Sequence, residues 1–406
     1  KSLMYIRQEC LLSFEEILKF QPKTKLELVL SQIDLSELKL ALKKSKFGPK
    51  GYDSYPMVYA LLAMQIEQIK TIKMLVQRLK QDPVFRYCCC FAVCGETPSE
   101  STFSRFLSKI SESEDLKKLF RKLVTKAKEL NIVDGETVAI DATKMGSFES
   151  PKPKNKLAND GLTPNWGSKQ DTNGNQIKWF GWKLHILCDT KSELPLEISV
   201  TPANIYDGTV ALPLIEEFTS SYGDLFKPKY YVMDSGYDFN YIYGDIVNVY
   251  QAKPIIAYNP RGSKSPPEGL DDDLYPVCSA GYKMVYWGTD GDYIKLRCPH
   301  VCGKVNCIHG SNWCSSSNYG YIRKINFKKN PRFYCYPFRG TEKWQQIYNH
   351  RTAVERCNSR LKEYLNLENI RSKGIKKALT HCLLNCIALV AGTIAVNSIQ
   401  SSIKVA

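Results

Sequence analysis

From the start of the chain to about residue 130, apolar positions recur every three and four residues. LSFEEILKF, DLSELKLALKK, SYPMVYALLAMQIEQIK and TIKMLVQRLKQ each carry that period, which predicts amphipathic helices. Pro83 and the stretch from Gly95 to Pro98 punctuate them. SESTFSRFLSKI then opens on Ser99 and Ser101, residues suited to cap a helix. A short helix, a turn and a polar-fronted helix have the shape of a helix-turn-helix, although an ordinary bundle fits each helix pair equally well. At residue 135 the period changes. ETVAIDATK, KWFGWKLHILCDTK, LPLEISVTPAN and KYYVMDSGYD alternate, are β-branched and are flanked by turn residues, so they predict strands. The Pro-, Gly-, Asn- and Lys-rich run between the first two reads as a long surface loop. KPIIAYN, GYKMVYWG, DYIKLRC and RFYCYP give a β-rich segment over 250–338, and the helical period returns from Lys343 to Lys362.

The last apolar run, residues 378–399, is long enough to span a bilayer. It carries His381, Asn385 and Asn397, and its uninterrupted apolar core, Cys386 to Val396, is eleven residues. Runs of that length are characteristic of buried core helices, so no membrane partner is expected. The pattern divides the chain into helices at 1–130, the first part of an α/β core at 131–249, a β-rich Cys-containing insertion at 250–338, and C-terminal helices at 339–406 that complete the core. There is no internal repeat and no low-complexity tract.

Composition narrows the function. Of 406 residues, 43% are hydrophobic and 24% charged, which excludes wholesale disorder and collagen-like chains. Fifty-six Lys and Arg oppose 41 Asp and Glu, and the net charge of +15 favours a polyanionic partner, nucleic acid before an acidic membrane surface. The cysteine count, 15, is odd, and Cys88, Cys89 and Cys90 are adjacent. The opening KSLMYIRQECLL has neither an unbroken apolar run nor a small-residue cleavage site. A cytoplasmic protein with mostly free thiols is therefore expected.

Two carboxylates stand out. Asp141 ends the apolar run TVAID, and Asp234 ends YYVMD. Carboxylates at the C-terminal ends of central strands are where α/β sheets place chemistry, and two with a third could hold two divalent metals. Taken singly, each is equally a turn residue or a helix cap, and Asp189, Asp207 and Asp238 sit in similar places. The third carboxylate comes from EKWQQIYNHRTAVERCNSRLKEY. On one straight helix Tyr348, Arg351, Glu355 and Lys362 fall within about 60° of each other. They would line one stripe, a carboxylate among phosphate-binding cations. The bland alternative is a solvated helix with an Arg–Glu pair. Charge favours the first reading: residues 321–380 hold fifteen cations against four carboxylates, a net +11. Tyr334, Tyr336, Phe338, Trp344 and Tyr348 interleave with them, as suits backbone tracking and base stacking.

The spacing Y-x2-R-x3-E-x6-K over Tyr348, Arg351, Glu355 and Lys362 resembles the signature of bacterial insertion-sequence transposases of the IS-four superfamily. D-x-G-Y at Asp234–Tyr237 is similar to that group's second acidic motif, AIDATK around Asp141 to its first, and Gly51–Ile110 to its N-terminal helical domain. The resemblance implies a ribonuclease-H-like α/β core preceded by an all-helical DNA-binding domain. It implies a DDE triad, Asp141, Asp234 and Glu355, binding two Mg²⁺ ions, with Mn²⁺ able to substitute. Tyr348, Arg351 and Lys362 would then contact DNA. The implied partners are double-stranded DNA, as inverted repeats and as target, and a second copy of the chain in a synaptic dimer acting at the nucleoid. The 121 positions from Asp234 to Glu355 leave room for the β-rich insertion of this group. Some relatives stack a flipped base on an insertion tryptophan, for which Trp287 and Trp313 are candidates.

The insertion also holds Cys298, Cys302, Cys307 and Cys314. Their C-x3-C-x4-C-x6-C spacing is not that of a standard zinc ribbon, so a structural Zn²⁺ and unliganded thiols both stand as readings. DTNGN at 171–175 lacks the sixth-position Gly and the distal Glu of a calcium loop and reads as a hairpin turn. No P-loop is present. The expected activity is Mg²⁺-dependent phosphodiester hydrolysis and strand transfer. The alternative is a decayed or domesticated DNA-binding protein with the same fold.

Overall fold

Three long runs of β-branched and apolar residues build the centre of the protein, whose computed structural model describes residues 12–36, 51–153, 161–170, 173–310 and 312–405. β1 (Thr137–Gly146) pairs antiparallel with β3 (Gln176–Asp189), and β4 (Pro195–Pro202) pairs antiparallel with β3 on its far side. β5 (Tyr230–Met233) runs parallel to β1, and β6 (Lys253–Ile256) parallel to β5. The central order is therefore β4-β3-β1-β5-β6, with β2 (Asn165–Gln170) joined to the first half of β3. Val138, Ala139 and Ile140 are all buried, as are Val232, Met233, Ile255 and Ile256. Both faces of these parallel strands are covered, which explains their continuous apolar runs. α8 (Asp207–Tyr222) carries the crossover from β4 to β5, and α9 (Asn240–Asn248) the one from β5 to β6.

Among the described residues seven helices precede β1. Those used below are α2 (Lys25–Leu30), α3 (Ser54–Ile66), α4 (Ile72–Gln81), α5 (Pro83–Cys88), α6 (Glu100–Ile110) and α7 (Asp115–Glu129). Thr71 and Ser99 accept a backbone N–H at the starts of α4 and α6, and Pro83 occupies the first turn of α5. Residues 89–99 separate α5 from α6. That connection is longer than the three or four residues of a tight helix-turn-helix. Part of the predicted helix DLSELKLALKK lies outside the described residues.

The C-terminal apolar run forms α13 (Ile375–Val405). It is long and apolar enough to cross a membrane, yet 67% of its most apolar window is buried inside the protein. It packs on α2, α3, α7 and β4, so one hydrophobic core runs from Leu26 through the sheet to Ile394.

Four local expectations change. The loop after β1 contains β2, because WGSKQ pairs with QIKWF across a hairpin; residues 171–172 of the turn lie outside the described set. KPIIAYN belongs to the central sheet as β6 and not to the insertion. RFYCYP is not a strand: Pro331 starts a one-turn helix, α10 (Pro331–Tyr334). The insertion's own sheet is β7 (Val285–Asp290), β8 (Tyr293–Arg297) and β9 (Ile322–Asn326), over a small core of Met284, Ile294, Leu296, Ile325 and Phe338.

The fourth change concerns the helix of the Y-R-E-K residues. It is two helices, α11 (Glu342–Asn349) and α12 (Thr352–Glu363). At the joint His350, Arg351, Ala353 and Val354 donate to carbonyls three residues back. The tighter turn breaks the single straight helix on which the stripe was drawn, although Arg351 still joins Tyr348 to Glu355.

Candidate active site

The parallel ladder between β1 and β5 pairs Ile140 with Met233 and stops there. The next residue on each strand is an aspartate, so Asp141 and Asp234 lie side by side where the ladder ends. β1 itself continues to Gly146 against β3 alone. Asp141 is thus mid-strand in sequence but at the C-terminal edge of the parallel pair. Asp234 accepts the Gly236 N–H at 2.8 Å in the tight turn that follows. A Cβ on Gly236 would stand 3.0 Å from Asp234 Oδ1, which explains a glycine in D-S-G-Y.

Electrostatics ties these groups together. Burial pushes the Asp141 carboxyl up to about 7, and Asp234 and Asp207 add to the rise, while the Ala142 N–H and Arg351 oppose it. Burial also raises Asp234; the Gly236 N–H and Arg351 pull it down, and Asp207 and Glu355 push it up. Glu355 on α12 is brought to this cluster but is turned to Arg351, whose guanidinium donates to its Oε1 at 2.8 Å. Arg351 lies over the Tyr348 ring at 6.0 Å, and Tyr348 stacks on buried Trp344 at 4.7 Å. Burial raises the Tyr348 phenol. Tyr237 is fully buried, and among the described residues its hydroxyl has no hydrogen-bond partner.

Other sequence candidates separate cleanly. Asp189 is buried and accepts the Gly135 N–H and both Ser192 groups, so it closes the β3–β4 turn. Asp238 is buried and is held by Arg332 at 2.6 and 3.1 Å, the Tyr243 hydroxyl at 3.0 Å and the Asn259 N–H at 2.9 Å. Neither faces the cluster. Asp207 does, although its sequence context distinguished it from neither.

The basic segment is less open than its charge suggested. Arg323, Arg332 and Arg339 bond inward to carbonyls, to Asp238 or to tyrosine hydroxyls. Arg356 reaches Glu193, and Arg360 reaches Ser192 O and Thr393 Oγ1. Lys362 lies 3.4 Å from Glu368. Trp287 is exposed beneath the Arg297 guanidinium, and exposed Trp313 stacks on His309 at 4.3 Å.

Family comparison decides the assignment. Residues 132–274, which contain Asp141 and Asp234, match the family described as Transposase DDE domain. Residues 309–390, which contain Glu355, match a second family with that description, and residues 15–109 match Transposase domain (DUF772). The chain carries DDE transposase domains. The stretch between the two DDE matches, 275–308, holds β7 and β8 of the inserted sheet, and β9 lies within the second match. Among solved structures, one titled "Cryo-EM structure of piggyBac transposase synaptic complex with hairpin DNA (SNHP)" is similar at a TM-score of 0.40 and 11% identity, over 92% of this chain and 75% of that one. No curated protein matches.

DDE transposase domains imply divalent-metal use. Among the described residues no three His, Cys, Asp or Glu side chains already form a group that could hold a metal. Glu355 is paired with Arg351. The donor chemistry still suits a hard cation, since the register sets the Asp141 and Asp234 carboxylates side by side at the end of the parallel ladder. Cys298, Cys302, Cys307 and Cys314 lie in the insertion beside β8 and β9, with Cys298 buried and the other three half-buried. Burial raises the Cys314 thiol, and the nearby Cys298, Cys278 and Cys307 add to the rise. His300 Nδ1 is taken by the Cys307 N–H at 3.2 Å. Among the described residues the cysteines form no disulfide.

Proposed function

We propose that this protein is an insertion-sequence transposase of the IS-four type, cutting and joining double-stranded DNA through Asp141, Asp234 and Glu355 on a ribonuclease-H-like core. The observation that carries the reading is the register Ile140–Met233, which sets two aspartates side by side at the end of a parallel ladder. The strand order, with only β3 antiparallel among β3, β1, β5 and β6, supports the fold reading.

When bound, two Mg²⁺ ions would activate the attacking oxygen and neutralise the leaving one. Asp141 and Asp234 would hold them with their raised carboxylates. Glu355 would leave Arg351 to complete the donor set, and that exchange frees the Arg351 guanidinium for a phosphate. Tyr348, kept in plane by Trp344, would orient the same phosphate with its hydroxyl. Lys362 would contact the backbone further along α12. Water first attacks the phosphorus at the transposon end, breaking the P–O3′ bond and leaving a 3′-hydroxyl. That hydroxyl then attacks a target phosphodiester and displaces its 3′-oxygen. A dimer would hold both ends.

The test is cleavage of a plasmid bearing the element's ends. Asp141→Asn, Asp234→Asn and Glu355→Gln should each abolish metal-dependent cutting and leave end binding within a few-fold. Any one retaining wild-type cutting removes that residue from the triad. A wild-type protein that binds ends without cutting in Mg²⁺ or Mn²⁺ would favour the decayed binding protein.

A further inference from the structure

The loops that follow β5 and β6, with the start of α8, carry an aromatic and cationic patch that the triad does not use. Two residues after Asp234, the Gly236 carbonyl accepts the Tyr206 hydroxyl at 2.7 Å, while the Gly236 N–H is donated to Asp234 Oδ1. Tyr206 meets Phe239 edge to face at 5.5 Å, and Phe239 meets Tyr241 at 5.5 Å and 31°. The Tyr241 hydroxyl donates to Gly208 O at 3.0 Å. A Cβ on Gly208 would stand 2.9 Å from both the Phe239 and Tyr206 rings, so glycine lets them close over the first turn of α8. The patch is therefore tied by hydrogen bonds to the turn that holds Asp234.

Arg261 completes it. Its guanidinium lies over the Phe239 ring at 3.7 Å and donates to Asp238 O at 3.0 Å. Its backbone is left-handed, at φ 48°, in a turn closed by the Ser263 N–H on Pro260 O. Side chains other than glycine rarely hold that conformation, and such strain gathers at functional sites. Two observations say what the patch would take. Tyr206 and Tyr241 are 47% and 46% exposed although both hydroxyls are spent on protein carbonyls, so they offer ring surface outward more than a polar tip. Charge gives the second. Among the described residues no carboxylate pairs with Arg261, whereas Arg332 holds Asp238 and Lys183 holds Asp207. A guanidinium without a counter-ion beside exposed rings suits a phosphate with its base alongside. A base can lay its face on a ring only where it is unpaired, so the fit is to a single strand.

We propose that Tyr206, Tyr241 and Arg261 form a platform for an unpaired nucleotide of the DNA strand that passes Asp234, with the base against the rings and the phosphate on the guanidinium. This rests on the DNA-cleaving reading above and adds to it a single-strand subsite on the core, apart from the tryptophans of the insertion. The experiment is titration of the full chain, without divalent metal, into a short single-stranded oligonucleotide carrying 2-aminopurine and into a blunt duplex of the same sequence. Thermal melts check folding.

The wild type should bind the single strand and quench its emission by stacking. Tyr241→Leu should weaken single-strand binding about tenfold and lose the quench, with duplex affinity held within about twofold. Arg261→Lys keeps the charge but not the planar fork, and should also weaken the single strand more than the duplex. Tyr241→Phe removes only the inward hydroxyl and should keep both affinity and quench. Equal losses on single strand and duplex in Tyr241→Leu and Arg261→Lys would make the patch a general backbone contact and overturn the proposal. Unchanged single-strand binding, with self-association lost in Tyr241→Leu by sedimentation, would make it a protein interface and overturn it too. Unchanged single-strand binding in both variants, with plasmid cutting still abolished by Asp141→Asn, would overturn it and leave the transposase reading standing. A wild type that binds neither DNA and cuts no plasmid would overturn both. If Tyr241→Leu does not fold, Arg261→Lys and the wild-type quench decide.

Discussion

Glu197 on β4 is fully buried, and Arg121 of α7 donates to its Oε2 at 2.9 and 3.1 Å. Arg121 also reaches Glu217, which Lys117 holds from the same helix face. Removing the cation strands a charge in a dry site. Arg121→Met should therefore cost about 3 kcal/mol, the lower end of the range for a broken buried pair, because Arg121 keeps some exposure. Urea unfolding of the variant measures this, and a loss below 1 kcal/mol would mean that Glu197 takes up a proton without cost. The same physics explains what could be read of the site in the sequence. Asp141 and Asp234 were legible because each ends an apolar run that pairs in parallel, and chemistry collects at that edge. Asp189, Asp207 and Asp238 share their local pattern, and only three-dimensional partners separate them. Arg332 comes from 94 residues away to claim Asp238, and the turn claims Asp189. Nothing local announces the first, whereas Ser192, three residues on, is a local partner for the second.

Helix periodicity was legible almost everywhere, but the joint between helices was not. No Pro or Gly marks residues 349–352, so the change from α11 to α12 comes from packing: Trp344 and Ala353, Val354 and Cys357 bury on both sides of it. The crossover helix α8 was also hidden, because Pro213 interrupts its pattern. On α12 the side chains divide by partner. Arg360 is committed to Ser192 O and Thr393 Oγ1, whereas among the described residues Lys362 is held only by exposed Glu368. Lys362→Ala should lower the slope of log affinity against log salt by about one unit, and Arg360→Ala should leave it unchanged and lower stability instead. Equal slopes would mean that bulk charge drives DNA binding. α13 carries a pH signature of its own. His381 is half-buried, its Nε2 meets the carbonyls of Asn366 and Leu367, and desolvation holds it below the usual histidine range. A histidine with a lowered folded pKa favours the folded state above its unfolded value near 6.5 and loses that favour as pH falls toward the folded value. Wild type should thus lose stability below about pH 6.5 relative to His381→Gln. Parallel slopes of denaturation midpoint against pH would remove His381 as the cause.

At the scale of the whole molecule, the sequence pattern suggested a helical unit at 1–130 followed by a sheet, and the packing joins the two. Leu26, Val29, Met57, Leu61, Phe120 and Val124 share one core with Ile140, Leu184 and Ile198, and α13 contributes Cys382, Ile387 and Val390 to it. Asn385 of α13 accepts the Asn366 N–H at 2.9 Å and donates to Gln65 of α3 at 3.2 Å, so buried polar groups also cross the boundary. Such a contact map was invisible to a periodicity argument, which reports which face is apolar and not what covers it. A fragment of residues 1–130 would expose the faces of α2, α3 and α7 that α13 covers. It should fail to fold alone and bind an apolar dye, with little amide dispersion in its NMR spectrum. The insertion behaves in the opposite way. Its β7-β8-β9 sheet closes over its own five-residue core and is tied to the main sheet through Arg332 and Arg339 on Asp238, Asn259 and Ile256. Hydrogen exchange should therefore separate two units, with β8 amides opening at lower free energy than those of β1 and β5. A single opening free energy for β1, β5 and β8 would show that the small core is cooperative with the large one, and a well-folded 1–130 fragment would show that the large one is not a single unit.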